Sequence, residues 1–180
     1  MRAELTPHPD WPCPAAERIA VEVARPAHDA LSFRYELAGR IADLRVPPER
    51  PPARTDGLWQ TTCFEAFLRP AGGEGYFEFN FAPSGEWAAY AFSGYREGMQ
   101  PLEPLTAPSI VATAGPERLT VEVTLSLSGL AEGRWRLGLS AVIEGIDGAK
   151  AYWAVAHPPG KPDFHHPDCF ALDLPEAQTP

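Results

Sequence analysis

The sequence predicts an all-β protein, an antiparallel β-sandwich of jelly-roll type with about ten or more strands. Two observations support this. Apolar and polar residues alternate in many short segments, and a period of two is typical of a strand with one buried face. The chain also contains 21 prolines and 15 glycines among its 180 residues, and they lie between the alternating segments rather than in one tract. Short strands joined by Pro/Gly turns are typical of sandwiches and barrels.

The predicted strands follow from this alternation. Large apolar residues occupy every second position of residues 31–37, and three phenylalanines share one face of residues 76–81. Residues 14–18 and 126–131 are the helical candidates, the second at most a single turn. The predicted strands are residues 19–25, 31–37, 40–46, 61–68, 76–81, 86–92, 109–113, 118–125, 135–143, 151–156 and 169–174.

The length of 180 residues favours one domain. We place this domain at residues 15–175 and expect residues 1–14 and 176–180 to be flexible or loosely packed. Residues 47–57 contain four prolines, which fix φ and remove backbone donors, so an exposed loop is expected there. The N-terminal residues show no apolar stretch of signal-peptide length, and we therefore expect a cytoplasmic location.

Charge and cysteine content argue against several classes of function. The formal net charge is −9, and no Lys/Arg cluster offers the basic face that nucleic acids or anionic membranes require. Three widely spaced cysteines, Cys13, Cys63 and Cys169, do not form a disulfide framework. No nucleic-acid or membrane partner is therefore expected. The oligomeric state is not predicted.

No standard catalytic motif is present, so we predict a non-catalytic binding protein rather than an enzyme. Trp59 directly follows the Pro-rich loop, and Glu65, Glu78 and Asn80 fall on polar faces of neighbouring predicted strands. One interpretation is an indole platform beside hydrogen-bonding groups. Packing of Trp59 at the core edge with solvated carboxylates is the alternative. Two carboxylates could also perform acid–base chemistry in a glycosidase.

A second candidate region is the Pro- and His-rich segment that follows residue 152. Its side chains His157, Asp163, His165 and His166 are weak candidates for a metal site, because imidazole and carboxylate are common ligands. The spacing matches no common zinc pattern; no cofactor is predicted, and calcium and zinc are kept as candidates. In another interpretation these groups satisfy backbone atoms of a rigid loop. In a third, Lys161 and the histidines contact a ligand.

Residues 59–68, 76–87 and 152–170 resemble the bacterial DOMON-like proteins of the type-9 ligand-binding group, which is akin to carbohydrate-binding module family 9. The resemblance spans roughly residues 15–175 and implies a jelly-roll-like sandwich. In the sugar-binding members two tryptophans clamp a terminal sugar. Trp59 matches the first of them by motif, Trp153 best matches the second, and Glu65 matches an acidic residue that contacts sugar hydroxyls. No counterpart of that family's calcium site is assigned here.

The predicted function is the binding of a carbohydrate or similar polar small molecule between aromatic platforms. A metal-binding or enzymatic protein using the loop histidines is the alternative. Since other DOMON relatives bind haem through Met and His, haem binding by Met99 and a loop histidine is a third hypothesis. The predicted ligand-binding residues are Trp59, Glu65, Asn80, Trp153, Lys161 and His165.

Overall fold

The computed structural model describes residues 1–103, 106–130 and 133–174. It confirms the predicted fold class, because these residues form twelve strands whose ladders are all antiparallel. The strands are β1 Arg2–Pro7, β2 Ala16–Ala27, β3 Ala30–Gly39, β4 Cys63–Pro70, β5 Tyr76–Phe81, β6 Trp87–Phe92, β7 Gln100–Pro101, β8 Ser109–Ala114, β9 Arg118–Ser126, β10 Trp135–Glu144, β11 Lys150–Ala154 and β12 Leu172–Asp173. Short 3-10 helices span Ile41–Asp43, Leu58–Gln60 and Pro167–Cys169.

The strands form two sheets, and β1 joins them through hydrogen bonds to a strand of each. Sheet A has the order β8-β9-β3-β2-β1, and sheet B has the order β7-β6-β5-β4-β10-β11. β12 pairs with one end of β10. β1 belongs to both sheets, because residues Arg2 to Leu5 pair with β2 whereas Thr6 and Pro7 pair with β11.

The main core lies between the two sheets and is built by the alternating apolar residues. On β3, Phe33 and Tyr35 are fully buried and face aromatic side chains of sheet B. The rings of Phe33 and Phe81 have centroids 5.9 Å apart, and those of Tyr35 and Phe64 are 5.0 Å apart. This packing explains why alternation predicted β3 well.

Sheet B is covered on its outer face as well. A second apolar cluster there includes Phe67, Tyr76 and Phe92, and residues Phe164 and Phe170 of the Pro-rich segment pack onto it. β4 is covered on both faces, so its first six residues are all buried. The Pro- and His-rich segment that follows residue 152 therefore covers part of the outer face of sheet B, and the candidate site lies at the edge of this segment.

Two sequence expectations are corrected. The segment 1–14, expected to be loosely packed, contains β1, and its Leu5 and His8 are buried. Residues 40–46 do not form a strand. β3 ends at Gly39, whose φ of 152° and close approach to the Ala15 carbonyl leave no room for a Cβ, and a 3-10 helix follows.

The helical candidate at residues 14–18 is also corrected, whereas the described part of the one at 126–131 contains no more than the single turn expected. Residues from Ala16 onward belong to β2 rather than to a helix. β9 extends to Ser126, residues 127–130 form a turn, and residue 131 lies outside the described residues. Residues 47–57 form the expected irregular and mostly exposed loop, whereas 176–180 lie outside the described residues. No helix in the described part of the chain is long and apolar enough to cross a membrane.

Candidate functional site

A pocket of about 510 Å³ opens on the outer face of sheet B. Its lining includes the aromatic side chains of Trp59, Phe92, Tyr152 and Phe164. Two acidic side chains, Glu65 and Glu78, lie in its lining. Concave, mostly apolar pockets with a few converging polar groups are typical of small-molecule sites, which usually measure about 300–1,000 Å³.

Trp59 is held at the pocket by the short 3-10 helix Leu58–Gln60. The helix follows Gly57, which has a left-handed φ of 79°, and it is anchored by the buried Leu58. The Trp59 side chain packs edge to face on Tyr90 with centroids 6.2 Å apart, yet the residue remains 39% exposed. An indole held in this way on one edge keeps surface available for a ligand.

Glu65 and Glu78 reach the pocket because strand alternation directs them to the outer face of sheet B. Glu65 on β4 lies opposite Asn80 of β5 and Ser140 of β10. Ser140 Oγ donates a hydrogen bond of 3.0 Å to Glu65 Oε2, and Asn80 Nδ2 donates one of 2.7 Å to Glu78 Oε1. Both carboxyl groups are nearly buried, with residue exposures of 2% and 5%.

Burial disfavours the charged form of both acids. The pKa of Glu65 is raised, first by desolvation and then by the negative charge of Glu78, against a smaller lowering by the Ser140 hydrogen bond. Desolvation also raises the pKa of Glu78, while the hydrogen bond from Asn80 and the charge of Arg96 oppose this. The two acids therefore hold protons above the pH at which ordinary glutamates release them.

His165 closes one side of the pocket as a neutral imidazole. Its Nδ1 is hydrogen-bonded to the Tyr76 hydroxyl at 2.7 Å, and its Nε2 lies 3.8 Å from Glu78 Oε2. Desolvation, reinforced by the positive charge of Arg96, lowers the pKa of His165 to about 4. Arg96 is itself engaged by Asp163, with an N–O distance of 2.7 Å.

The structure brings together only some of the predicted site residues. Trp59, Glu65 and His165 all line the pocket. Asn80 is fully buried and acts behind the lining through its hydrogen bond to Glu78. Lys161 is exposed and does not belong to the pocket lining, whereas the adjacent Pro162 does.

The expectation for Trp153 is corrected. Trp153 is 3% exposed and belongs to the core between the sheets, so it cannot face Trp59 across a cleft. Successive residues of a strand point to opposite faces, and it is the neighbouring Tyr152 that lines the pocket. The Trp153 Nε1 has no hydrogen-bond partner among the described residues.

The remaining loop side chains are used within the fold. His157 Nε2 is hydrogen-bonded to the Thr6 carbonyl at 2.9 Å, and His166 Nδ1 accepts from the Asp168 amide at 3.3 Å. Within the described ranges, no group of three or more His, Cys, Asp or Glu side chains is arranged to hold a metal ion. The calcium and zinc candidates stay hypotheses, and the hydrogen bonds of His157 and His166 fit the interpretation of a rigid, internally bonded loop.

The haem hypothesis remains a prediction. Met99 is 50% exposed and lines the same pocket as His165. The ring nitrogens of that histidine, however, already face Tyr76 and Glu78.

Sequence reasoning missed several pocket residues. Tyr152 was overlooked in favour of Trp153, although the register opposite Val142, which also lines the pocket, identifies the correct face. Phe92, Phe164 and Lys150 were not singled out, because only the folded chain brings these distant segments to the same place.

Solved structures with similar folds include two carbohydrate-binding proteins. A presumed carbohydrate-binding protein from Bacteroides uniformis is 14% identical, with a TM-score of 0.64 over 94% of this chain and 83% of that one. A family 9 carbohydrate-binding module from Caldicellulosiruptor kristjanssonii, solved with cellotriose, is 10% identical, with a TM-score of 0.52 over 88% of this chain and 75% of that one. The chain has a fold like that of family 9 carbohydrate-binding modules.

This likeness concerns the fold alone, since both identities are low. No family model matches the sequence, and no curated protein matches it. The DOMON-like resemblance stays a prediction.

Proposed function

We propose that this protein binds a carbohydrate, without cleaving it, in the pocket on the outer face of sheet B. The observation that carries the proposal is the combination, in one pocket, of a half-exposed indole and two nearly buried carboxyl groups. The same fold in a module solved with cellotriose is consistent with this function.

The aromatic residues suit the apolar faces of a sugar ring. C–H groups of a pyranose meet the negative face of an indole or phenol favourably. Trp59 supplies the more exposed ring, and Tyr152 supplies a second one, which is held edge to face by Trp11 at 5.5 Å. Tyr152 thus takes the role that the sequence assigned to Trp153.

The polar lining suits sugar hydroxyls. A carboxyl group that keeps its proton both donates and accepts, which matches the two-way hydrogen bonding of a hydroxyl. Glu65 and Glu78 offer such groups, and Gln60 on the same wall as Trp59 adds an amide. Ser140 and Asn80 fix the carboxyl orientations before a ligand arrives, which reduces the ordering cost of binding.

The protonation of the two acids favours binding over hydrolysis. Glu65 and Glu78 stand on adjacent strands and project from the same face of one sheet. Glycosidases also use two carboxyl groups, one of which must be ionised to act as nucleophile or base. Because the pKa of each acid is raised, both favour the protonated form, which binds hydroxyls but is neither nucleophile nor base.

A glycan panel followed by calorimetry tests the proposal. We expect at least one saccharide to bind the wild type and to lose about tenfold or more in affinity with Trp59→Ala, whereas Trp59→Phe retains part of it. Ile146→Ala is the matched control, because Ile146 is also exposed but lies outside the pocket lining. Absence of any saccharide binding, or equal affinity of wild type and Trp59→Ala, would contradict the proposal.

A further inference from the structure

We infer that the pocket selects a saccharide carrying a protonated amine, such as a 2-amino sugar, whose ammonium group binds between the carboxyl groups of Glu65 and Glu78. This inference rests on the proposed carbohydrate function and narrows it to one class of ligand. It adds a cationic group to a site that was otherwise expected to contact hydroxyls alone.

The first argument is that the two acids lack a permanent cationic partner. Buried carboxylates in proteins are normally paired. In the described part of the chain neither Glu65 nor Glu78 forms an ion pair with Lys or Arg, and the nearest basic atom to Glu78 is His165 Nε2 at 3.8 Å. That imidazole is neutral at physiological pH, since its pKa is lowered to about 4.

A third acid on the same sheet shows the usual arrangement. Glu144 at the end of β10 is 5% exposed, as Glu78 is, but Arg45 pairs with it at 2.9 Å. Glu144 is not part of the pocket lining, whereas the two acids without such a partner are. Among the buried glutamates of the described residues, the two without an ion pair to Lys or Arg are therefore the two that a ligand in the pocket can reach.

The other charged groups around the pocket do not supply it. Arg96 lines the pocket and its charge acts on Glu78, but its guanidinium forms an ion pair with Asp163, with an N–O distance of 2.7 Å, and none with Glu78. Lys150 lines the pocket from β11, where it lies opposite Glu144 in the ladder rather than opposite Glu65 or Glu78. The hydrogen-bond donors that Glu65 and Glu78 do have are neutral: Ser140 donates to Glu65, and Asn80 donates to Glu78.

The walls favour the same ligand. An ammonium group near the face of Trp, Tyr or Phe is attracted by the ring quadrupole, and more strongly where water is excluded. Trp59, Phe92 and Tyr152 line the pocket around the two acids. An amino sugar uses both features, since its ring stacks on an aromatic face while its amine meets the carboxyl groups.

Proton exchange follows from this arrangement. In the ligand-free protein, burial and the neighbouring acid keep a proton on Glu65 above the ordinary glutamate range. When an ammonium group binds, the ionised carboxylate becomes the favoured form, and the carboxyl proton is released to solvent while the amine keeps its own protons. Neutral sugars bind without this release.

Calorimetry with D-glucosamine, N-acetyl-D-glucosamine and D-glucose tests the inference at mildly acid pH, where the free amine is protonated. We expect D-glucosamine to bind about tenfold or more tightly than the other two sugars. Repeating the titration in buffers of different ionisation enthalpy is expected to show proton release with D-glucosamine alone. Equal affinities for the three sugars would overturn the amine inference and leave the proposed carbohydrate function intact.

Variants assign the preference to the two acids. Glu65→Gln and Glu78→Gln are expected to reduce the preference for D-glucosamine to less than about threefold, while Glu144→Gln, the matched buried acid outside the pocket, retains it. Thermal unfolding of each variant shows that the fold is kept. A preference unchanged in both pocket variants would overturn the inference.

Ethanolamine separates the two proposals further. We expect it to bind weakly and competitively with D-glucosamine. If ethanolamine binds and no saccharide of the glycan panel does, the carbohydrate function is contradicted, and the amino-sugar inference that rests on it is contradicted too. If a saccharide of the panel binds but D-glucosamine does not, only the amino-sugar inference is overturned.

Discussion

The hydroxyl of Tyr35 donates a hydrogen bond of 2.9 Å to the main-chain oxygen of Glu65, across the interior of the sandwich. Tyr35 belongs to β3 of sheet A and Glu65 to β4 of sheet B, so this bond joins the two layers at a residue that lines the pocket. Both residues are buried, and the Tyr35 ring also packs on Phe64. The position of a site residue is thus fixed from the core side of its strand.

Tyr35→Phe tests this link. The substitution keeps the ring but removes the hydroxyl that donates to the buried Glu65 carbonyl, which is expected to lower the free energy of unfolding by about 0.5–1.5 kcal/mol. Urea denaturation measures the change. Ligand affinity should stay within about threefold of wild type, because the Glu65 side chain keeps its bond from Ser140. Unchanged stability would show that the interlayer bond contributes nothing.

Tyr152 and Trp153 are expected to separate binding from folding. Tyr152→Ala removes a pocket wall and should weaken saccharide binding by about tenfold. Trp153→Phe alters the core between the sheets and should change the unfolding midpoint while leaving affinity within about threefold. Titration calorimetry on both variants decides the matter. Loss of affinity in Trp153→Phe, with none in Tyr152→Ala, would contradict this and favour Trp153 as the ring that contacts the ligand.

The raised pKa of Glu65 predicts a pH-dependent stability. At pH values below the ordinary glutamate pKa both the folded and the unfolded chain carry the proton, so this carboxyl imposes no penalty. As pH rises, the unfolded chain ionises first, and the free energy of unfolding falls until the folded carboxyl also ionises. Glu65→Gln should flatten this decline in denaturation curves recorded across the neutral range. Parallel pH profiles of variant and wild type would contradict a raised pKa.

His165 is expected to remain neutral throughout the physiological range. Its pKa of about 4 in the fold lies below the 6.5 of an ordinary histidine, because burial and Arg96 disfavour the imidazolium. The unfolded chain therefore takes up this proton first, and stability is lost as pH falls from about 6.5 toward 4. NMR titration of the His165 ring protons should show no change above pH 5, whereas the urea-unfolded protein titrates normally. A midpoint near 6.5 in the folded protein would refute this.

The sequence predicted the strands best where one face of a strand is buried, as in β3 with Phe33 and Tyr35. It failed for β1, in which Leu5 is the buried residue and no alternation appears. It also failed at residues 40–46, where the close approach of Gly39 to Ala15 ends the strand. The alternation of apolar and polar residues within a segment carries no information about a contact that a distant segment makes.

The candidate site was predicted in part for a similar reason. Trp59 and Glu65 stood out because a large aromatic follows the Pro-rich loop and an acid lies on a polar strand face. The family resemblance implied Trp153 as the second platform, and only pairing with β10 shows that the neighbouring Tyr152 is the residue on the outer face. The lack of an ion-pair partner for Glu78 could not be inferred, since Arg96, whose charge acts on Glu78, forms its ion pair with Asp163 instead.

The most direct test of the central claim is backbone amide NMR mapping during titration with the saccharide that the glycan panel identifies. The account predicts the largest shifts in residues 58–60, 92–99, 150–152 and 162–165, which surround the pocket on sheet B, and their loss in Trp59→Ala. Shifts confined to the outer face of sheet A, around Arg34 and Glu122, would contradict it, and so would the absence of any saccharide-dependent shift.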